Sequence, residues 1–251
     1  MGRGLCINAD DWGRSVRETD RIIECVVDGP VRNASAMVWM EDSERAAAIS
    51  RHYTQVDFGL HLNFTEPFTG ESVPERIAED LKLVRRFLGS GDSVRRYLPH
   101  LGLIGAFERL VEAQVAEFAR LYGGSPGRAD GHLHMHLSTN GLWALRRFPG
   151  NRVRRNFTFE AGEKSVWNRC LRGMIDTLVS QRFSVTDRFY SLETVLNQGS
   201  ISKVVEASRS QVVELMTHPI YPSEGAFLVS SEGRGMLGEL SVPFRDLASK
   251  E

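Results

Sequence analysis

The chain has 251 residues, a formal net charge of -1 and 41% apolar residues. The length suits one large α/β domain, and the near-neutral charge does not indicate a nucleic-acid or membrane-surface partner. The apolar runs are shorter than the roughly 18 residues of a spanning helix, and the first residues do not form the apolar core of a signal peptide. We therefore expect one domain over residues 1–251 in a cytoplasmic protein, with no membrane insertion.

Strand-like and helix-like segments alternate along the chain. After a first strand, Ser15 and Glu18 form a capping box that opens a helix, and Asp28-Gly29-Pro30 ends it. The predicted strands cover residues 5–9, 34–40, 56–64, 129–137, 153–157, 184–190 and 212–217. Predicted helices cover residues 43–52, 104–122, 164–183 and 201–208. This alternation predicts a parallel sheet, and seven or eight such units usually close into a barrel whose active site lies at the carboxyl ends of the strands.

The three cysteines are odd in number and widely spaced, at Cys6, Cys25 and Cys170. They form no CxxC pair, so the sequence indicates neither a disulfide framework nor a thiolate zinc site. We expect three buried thiols.

Two adjacent carboxylates, Asp10 and Asp11, leave the first strand within Asn8-Ala9-Asp10-Asp11-Trp12-Gly13. Carboxylates that follow an apolar strand are costly to bury unless a positive charge compensates them, and a metal ion is one such charge. Solvation, or capping of the following helix, is the alternative interpretation.

Histidines lie at or near the ends of three predicted strands. His61 is on the polar face of the third strand, and His218 ends the last strand before Pro219. Asp130, His132, His134 and His136 would share one face of the fourth strand, which favours metal ligation or a hydrogen-bonded site over core packing. A structural role for His61 and a solvated polar face for the fourth strand are the alternatives.

Acidic and imidazole groups with few cysteines suit a hard or borderline divalent ion. Such an ion polarises a carbonyl and lowers the pKa of a bound water, while a remaining carboxylate can act as general base and a histidine as general acid. This set fits amide or ester hydrolysis. The sequence lacks a glycine-rich phosphate loop.

Taken together and in order, the four clusters resemble the motifs of the YdjC-like carbohydrate deacetylases. That family includes chito-oligosaccharide deacetylases and deacetylases associated with hopanoid biosynthesis. Residues 8–13 (NADDWG) are similar to the family's NADDFG, and residues 59–65 (GLHLNFT) to its GLHLxLT. Residues 130–136 (DGHLHMH) are similar to DxHxHxH, and residues 217–219 (THP) to CHP.

The resemblance implies a distorted (β/α) barrel of the polysaccharide-deacetylase type, with about seven parallel strands, that removes an acetyl group from an N-acetylated sugar. The substrate would be an N-acetylglucosamine-type oligosaccharide or a glycolipid, and the family suggests a homodimer. One divalent ion is implied, Mg²⁺ or Zn²⁺ first, with Mn²⁺ or Co²⁺ also compatible. The implied ligands are Asp11, His61 and His132, with Asp10 as the catalytic base and His218 as the acid.

Four further residues are expected to contact substrate or to surround the ligands: His134, His136, Trp12 and Arg154. Arg154 resembles a family arginine on the fifth strand, although the residues after it depart from the usual pattern. Trp12, Phe64 and Phe68 could stack on sugar rings, with a core position as the alternative for Phe64. We expect residues 66–74 and 148–163 to line the cleft.

Two other functions fit the same residues. One is another barrel metal hydrolase, acting on a cyclic amide or a phosphoester. The other is a sugar-binding protein that has kept the scaffold without catalysis.

Overall fold

A computed structural model of the chain describes residues 3–89, 95–159 and 162–247. One sheet of seven parallel strands runs through it, in the order β5-β4-β3-β2-β1-β7-β6. The strands are β1 (Gly4–Trp12), β2 (Asn33–Ala36), β3 (Asp57–Leu62), β4 (Arg128–Gly131), β5 (Arg152–Val153), β6 (Arg188–Ser191) and β7 (Val212–Thr217).

Helices pack on the outside of this sheet. They are α1 (Val16–Val27), α2 (Ser43–Ser50), α3 (Glu75–Leu88), α4 (Ile104–Tyr122), α5 (Thr139–Ala144), α6 (Val166–Ser180), α7 (Leu192–Asn197), α8 (Ile201–Ser208), α9 (Pro222–Val229) and α10 (Ser231–Leu237). Buried side chains between strands and helices, including Leu5, Ile7, Phe107 and Leu110, form the main apolar core.

The sheet curls until its two edge strands approach each other. The amide of Val153 at the end of β5 donates to the carbonyl of Ser184, 3.1 Å away, and the amide of Thr158 donates to the carbonyl of Phe189 in β6 at 2.8 Å. The predicted distorted barrel of seven parallel strands is therefore confirmed.

The bounds of several elements were predicted closely from local sequence signals. Helix α1 begins after Ser15, whose hydroxyl accepts from the amide of Glu18, and ends at Asp28. The bounds of α4, α8 and β7 agree with the prediction. Among the described residues, no helix combines the length and apolar character needed to cross a bilayer.

The predicted fourth strand is wrong beyond Gly131. Residues His132–Leu137 form an irregular 3₁₀ segment that is kinked at Leu133 and His134, whose left-handed φ values of 52° and 58° are incompatible with a strand. The three histidines therefore do not share one strand face. Helix α3 was not predicted. Cys6 and Cys25 are buried as expected, whereas Cys170 on α6 is exposed, so that expectation was wrong.

Candidate active site

The end of β1 brings two consecutive carboxylates to the same side of the sheet. In a regular strand, Asp10 and Asp11 would point to opposite faces. Here the pairing with β2 shifts register between Ala9 and Trp12, and Asp11 has a left-handed φ of 68°. Both carboxylates consequently approach His61, and each can form a group of ligand-type atoms with it.

Asp11, His61 and His132 converge on one point at the carboxyl ends of β1, β3 and β4. One atom from each lies within 4.8 Å of the others. Asp11 Oδ1 is 3.0 Å from His132 Nδ1 and 3.4 Å from His61 Nε2. All three side chains are buried. The structure therefore brings together the three residues expected to be metal ligands.

The outer nitrogens of both imidazoles face carboxylates. His61 Nδ1 lies 2.5 Å from Asp130 Oδ1, and His132 Nε2 lies 3.1 Å from Glu66 Oε1. An ionised carboxylate only accepts, so each outer nitrogen donates to its carboxylate, and with a cation at the shared point each inner nitrogen would be the ligand atom. Histidine ligands of metals are typically held in this way, so these residues fit a divalent cation.

The electrostatics of this cluster favour a positive charge. Burial lowers the pKa of His61, but the charges of Asp130 and Asp10 and hydrogen bonds to Asp11 and Asp130 outweigh it and raise that pKa to about 10. Burial likewise raises the pKa of Asp11, but hydrogen bonds from His132 and His61 bring it well below its ordinary value. A divalent cation would supply the positive charge that protons otherwise provide.

Asp10, His61 and Asp130 form a second group with ligand-type spacing. A cation already serves that group. Arg154 Nη1 and Nη2 donate to the two oxygens of Asp10 at 2.6 and 2.7 Å, and Nη2 lies 2.9 Å from Asp130 Oδ2. Since like charges repel, the Arg154 guanidinium makes this second group the poorer metal site.

Arg154 therefore contacts Asp10, the proposed base, directly. The residue lies just after β5, and its side chain is 1% exposed. Its Nε donates to Glu214 Oε1 on β7 at 2.6 Å, and Asn8 Nδ2 adds a 2.7 Å hydrogen bond to Asp10. The carboxylate of Asp10 is thus held from two sides.

His218 follows the end of β7 and is half-buried. It lines a small cavity together with Asp10 and Asp11. Its ring lies 5.5 Å from that of Tyr221, and its backbone amide donates to Glu224 Oε2 at 2.9 Å. The structure places this histidine at the same edge of the sheet as the two carboxylates.

Comparison with known proteins agrees with this geometry. The family model described as YdjC-like protein matches residues 4–241. The chain belongs to that family. It is 27% identical over 241 residues to a carbohydrate deacetylase of Brevibacillus brevis, covering 95% of this chain and 90% of that protein.

Two further curated relatives and one solved structure are similar to this YdjC-like chain. A Mus musculus carbohydrate deacetylase is 28% identical over 246 residues, covering 87% of this chain and 78% of that protein. A Serratia marcescens chitooligosaccharide deacetylase is 32% identical over 137 residues, covering 55% and 52%. A crystal structure of an Enterococcus faecalis V583 protein with a proposed role in cellobiose-phosphate cleavage shares the fold, with a TM-score of 0.69, 18% identity and 97% of each chain covered.

His134 and His136, the other two histidines of residues 130–136, lie beside the group formed by Asp11, His61 and His132. Among the described residues, neither belongs to a group with metal-ligand spacing. The ring of His134 packs against Phe157 at 4.6 Å and Phe189 at 5.7 Å. His136 is fully buried, and its Nε2 donates to the backbone carbonyl of Arg154 at 3.0 Å. His136 thereby supports the arginine that contacts Asp10.

The expectation that Trp12 stacks on a sugar ring is wrong. Trp12 is 0% exposed, and its ring lies 5.2 Å from that of Phe58, because the chain after Asp11 turns this side chain into the core. Phe64 is also fully buried, which is the core position left open for it. Phe68 is half-buried and packs against Trp39 at 5.2 Å.

Two residues of the site were not singled out by sequence reasoning. Arg14 forms a two-pronged ion pair with Glu66, at 2.9 and 2.6 Å, and its Nη1 lies 3.3 Å from Asp11 Oδ2. Glu66 also contacts His132. Glu66 could have been noticed because it begins the segment 66–74 that was expected to line the cleft. No feature of the sequence distinguished Arg14.

A larger open groove of about 380 Å³ lies beyond Phe157, between β6, α7 and α8. Among the described residues, its lining includes none of Asp10, Asp11, His61 or His132. The paired charges lie instead beside the smaller cavity that Asp10 and Asp11 line.

Proposed function

We propose that this YdjC-like protein is a metal-dependent hydrolase that removes an acetyl group from the nitrogen of an N-acetylated sugar. The observation that carries the proposal is the convergence of Asp11, His61 and His132 beside the clamped carboxylate of Asp10. The names of the curated relatives, carbohydrate and chitooligosaccharide deacetylases, supply the substrate class.

Asp11, His61 and His132 would hold one divalent ion. Mg²⁺ and Zn²⁺ are the first choices for these ligands, and Mn²⁺ and Co²⁺ are compatible. A bound divalent ion polarises the acetyl carbonyl and lowers the pKa of a water molecule. Asp130 and Glu66 orient the two imidazoles by accepting their outer N–H groups.

The other residues divide the proton transfers between them. Asp10 accepts the proton of the attacking water, and Arg154, which donates to both oxygens of Asp10, fixes the direction of that carboxylate. His218 donates a proton to the leaving amine. Residues 66–74, together with the described part of 148–163, would contact the sugar, because loops at strand ends carry the variable contacts in barrels. The homodimer and the cytoplasmic location remain predictions.

The test is acetate release from N-acetylated chitooligosaccharides. The protein is stripped of metal with a chelator and reconstituted separately with Mg²⁺, Zn²⁺, Mn²⁺ or Co²⁺. We expect equal amounts of acetate and free amine, produced only when an ion is present. Sugar binding without acetate release would indicate a non-catalytic sugar-binding protein. Hydrolysis of a phosphoester or a cyclic amide alone would indicate a different barrel hydrolase.

A further inference from the structure

Glu214 is a buried carboxylate to which the proposed chemistry gives no role. It lies within β7, opposite Cys6 of β1 and Phe189 of β6, and is 2% exposed. This position is deeper in the barrel than Thr217, where β7 ends. Its Oε1 accepts from Arg154 Nε at 2.6 Å.

The guanidinium of Arg154 has each of its three nitrogens engaged. Two face Asp10, one of these also faces Asp130, and Nε faces Glu214. The face of the guanidinium lies 5.0 Å from the ring centroid of Phe189. Because a guanidinium is planar and rigid, a fixed partner at Nε determines where the two terminal nitrogens point.

Stability alone does not account for a carboxylate at this position. Arg154 already contacts Asp10 and Asp130, so Glu214 is the third carboxylate around one guanidinium. Burial raises the pKa of Glu214, and the charges of Asp130 and Asp10 add to that rise, so that it exceeds the lowering caused by Arg154.

We propose that Glu214 is a positioning residue, which holds the Arg154 guanidinium so that both terminal nitrogens face Asp10. It does not touch the substrate. The proposal rests on the proposed function, because Asp10 is the base of that reaction.

Two substitutions test this role by kinetics and by thermal unfolding. Glu214→Leu removes the acceptor for Nε, and we expect kcat to fall by about 10²-fold, the usual loss when a catalytic group is misplaced by about 1 Å. The KM should be unchanged, and the Tm should fall as well, because the buried Nε of Arg154 loses its acceptor. Glu214→Gln keeps an oxygen that can accept from Nε and should retain more of the kcat. If Glu214→Leu does not fold, Glu214→Met replaces it with the same expectation.

Asp80 offers a matched control at a distance from the site. It is 0% exposed, and Arg109 holds it with two hydrogen bonds of 2.7 and 2.8 Å between α3 and α4. Asp80→Asn should lower the Tm and leave kcat unchanged. The same pattern in Glu214→Leu, a lower Tm with unchanged kcat, would overturn the proposal.

A double substitution and a crystal structure complete the test. Added to Arg154→Lys, Glu214→Leu should cause no further loss of kcat, because it acts through the arginine; losses that multiply would overturn the proposal.

If the wild-type protein releases no acetate, the proposed function fails, and the crystal structure of Glu214→Leu decides the role of Glu214. A guanidinium turned away from Asp10 would support it, and unchanged contacts to Asp10 would overturn it.

Discussion

Two neighbouring clusters at the carboxyl end of the barrel are built from similar residues and differ in how their charges are compensated. Asp10, Asp130 and Glu214 surround the guanidinium of Arg154, so the chain itself supplies the cation. Asp11, His61 and His132 face one another around a common point. Consecutive aspartates therefore meet different partners, Arg154 for Asp10 and two histidines for Asp11.

The carboxylates of Asp10 and Asp11 also contact separate groups. Asp10 uses both oxygens on Arg154, and Asp11 directs Oδ1 toward the two histidines. His61 lies between the clusters, because its outer nitrogen contacts Asp130 and its inner nitrogen contacts Asp11. Substitutions on either side of His61 should therefore separate metal binding from proton transfer.

The largest expected effect is the loss of a metal ligand. His61→Ala should abolish Zn²⁺ binding, measured by isothermal titration calorimetry, and should reduce acetate release to background. His52→Ala, which changes an exposed histidine, is the matched control and should bind Zn²⁺ as the wild-type protein does. Wild-type Zn²⁺ affinity in a folded His61→Ala protein would contradict the ligand assignment.

Asp10→Asn should disrupt the cluster around Arg154. We expect kcat to fall by about 10²–10⁴-fold, which is the usual contribution of a general base, while Zn²⁺ binding is retained. Asp20→Asn, at an exposed aspartate of α1, serves as the control for the chemical change. Loss of the metal together with activity would instead place Asp10 among the ligands.

His218→Ala tests whether His218, rather than Asp10, supplies the proton to the leaving amine. For an N-acetylated sugar we expect a loss in kcat of about 10²–10⁴-fold, because the amine must be protonated as it leaves. An acetate ester with a good leaving group needs little protonation and should lose much less. Equal losses on the two substrates, in a folded variant, would remove His218 as the acid.

Glu66→Gln should produce a smaller change, which affects metal affinity. Without its carboxylate, the outer nitrogen of His132 has a weaker acceptor, and metal affinity should fall by about 10–100-fold. Titration with Zn²⁺ measures this directly. Glu71→Gln, at an exposed position in the same segment, should not change the affinity. An unchanged affinity in Glu66→Gln would show that His132 does not depend on this contact.

The smallest kinetic effect is expected at Trp12. Because this side chain is buried against Phe58, Trp12→Phe should leave KM and kcat unchanged. It should lower the free energy of unfolding by about 0.5–3 kcal/mol, as is usual for a change in the core. Chemical denaturation measures the second effect, and a raised KM would restore Trp12 as a wall of the cleft.

Much of the fold could be predicted from the sequence, because it follows from local patterns, whereas the three expected ligands came from the resemblance to the YdjC-like family. Apolar alternation in β3 and the capping box at Ser15 depend on residues a few positions apart. The convergence of Asp11, His61 and His132 could be anticipated, since each lies at or just beyond a strand end, where parallel strands bring their side chains to one edge.

The rest depends on contacts between distant parts of the chain. The pairing of Arg154 with Glu214 spans 60 positions, and that of Arg14 with Glu66 spans 52. Alternating polarity also predicted a strand through Leu133 and His134, where the backbone instead turns left-handed. Periodicity records which face a residue would take in a regular element, and it carries no information about where that element stops.

The left-handed backbone at Asp11 restricts which amino acids can occupy that position. Among residues with a side chain, aspartate and asparagine adopt a φ near 68° most readily, and glycine does so freely. Glycine offers no ligand atom, and asparagine offers no negative charge beside two imidazoles. A saturation mutagenesis scan selected for activity should therefore accept aspartate alone at position 11, whereas selection for folding should accept glycine and asparagine as well.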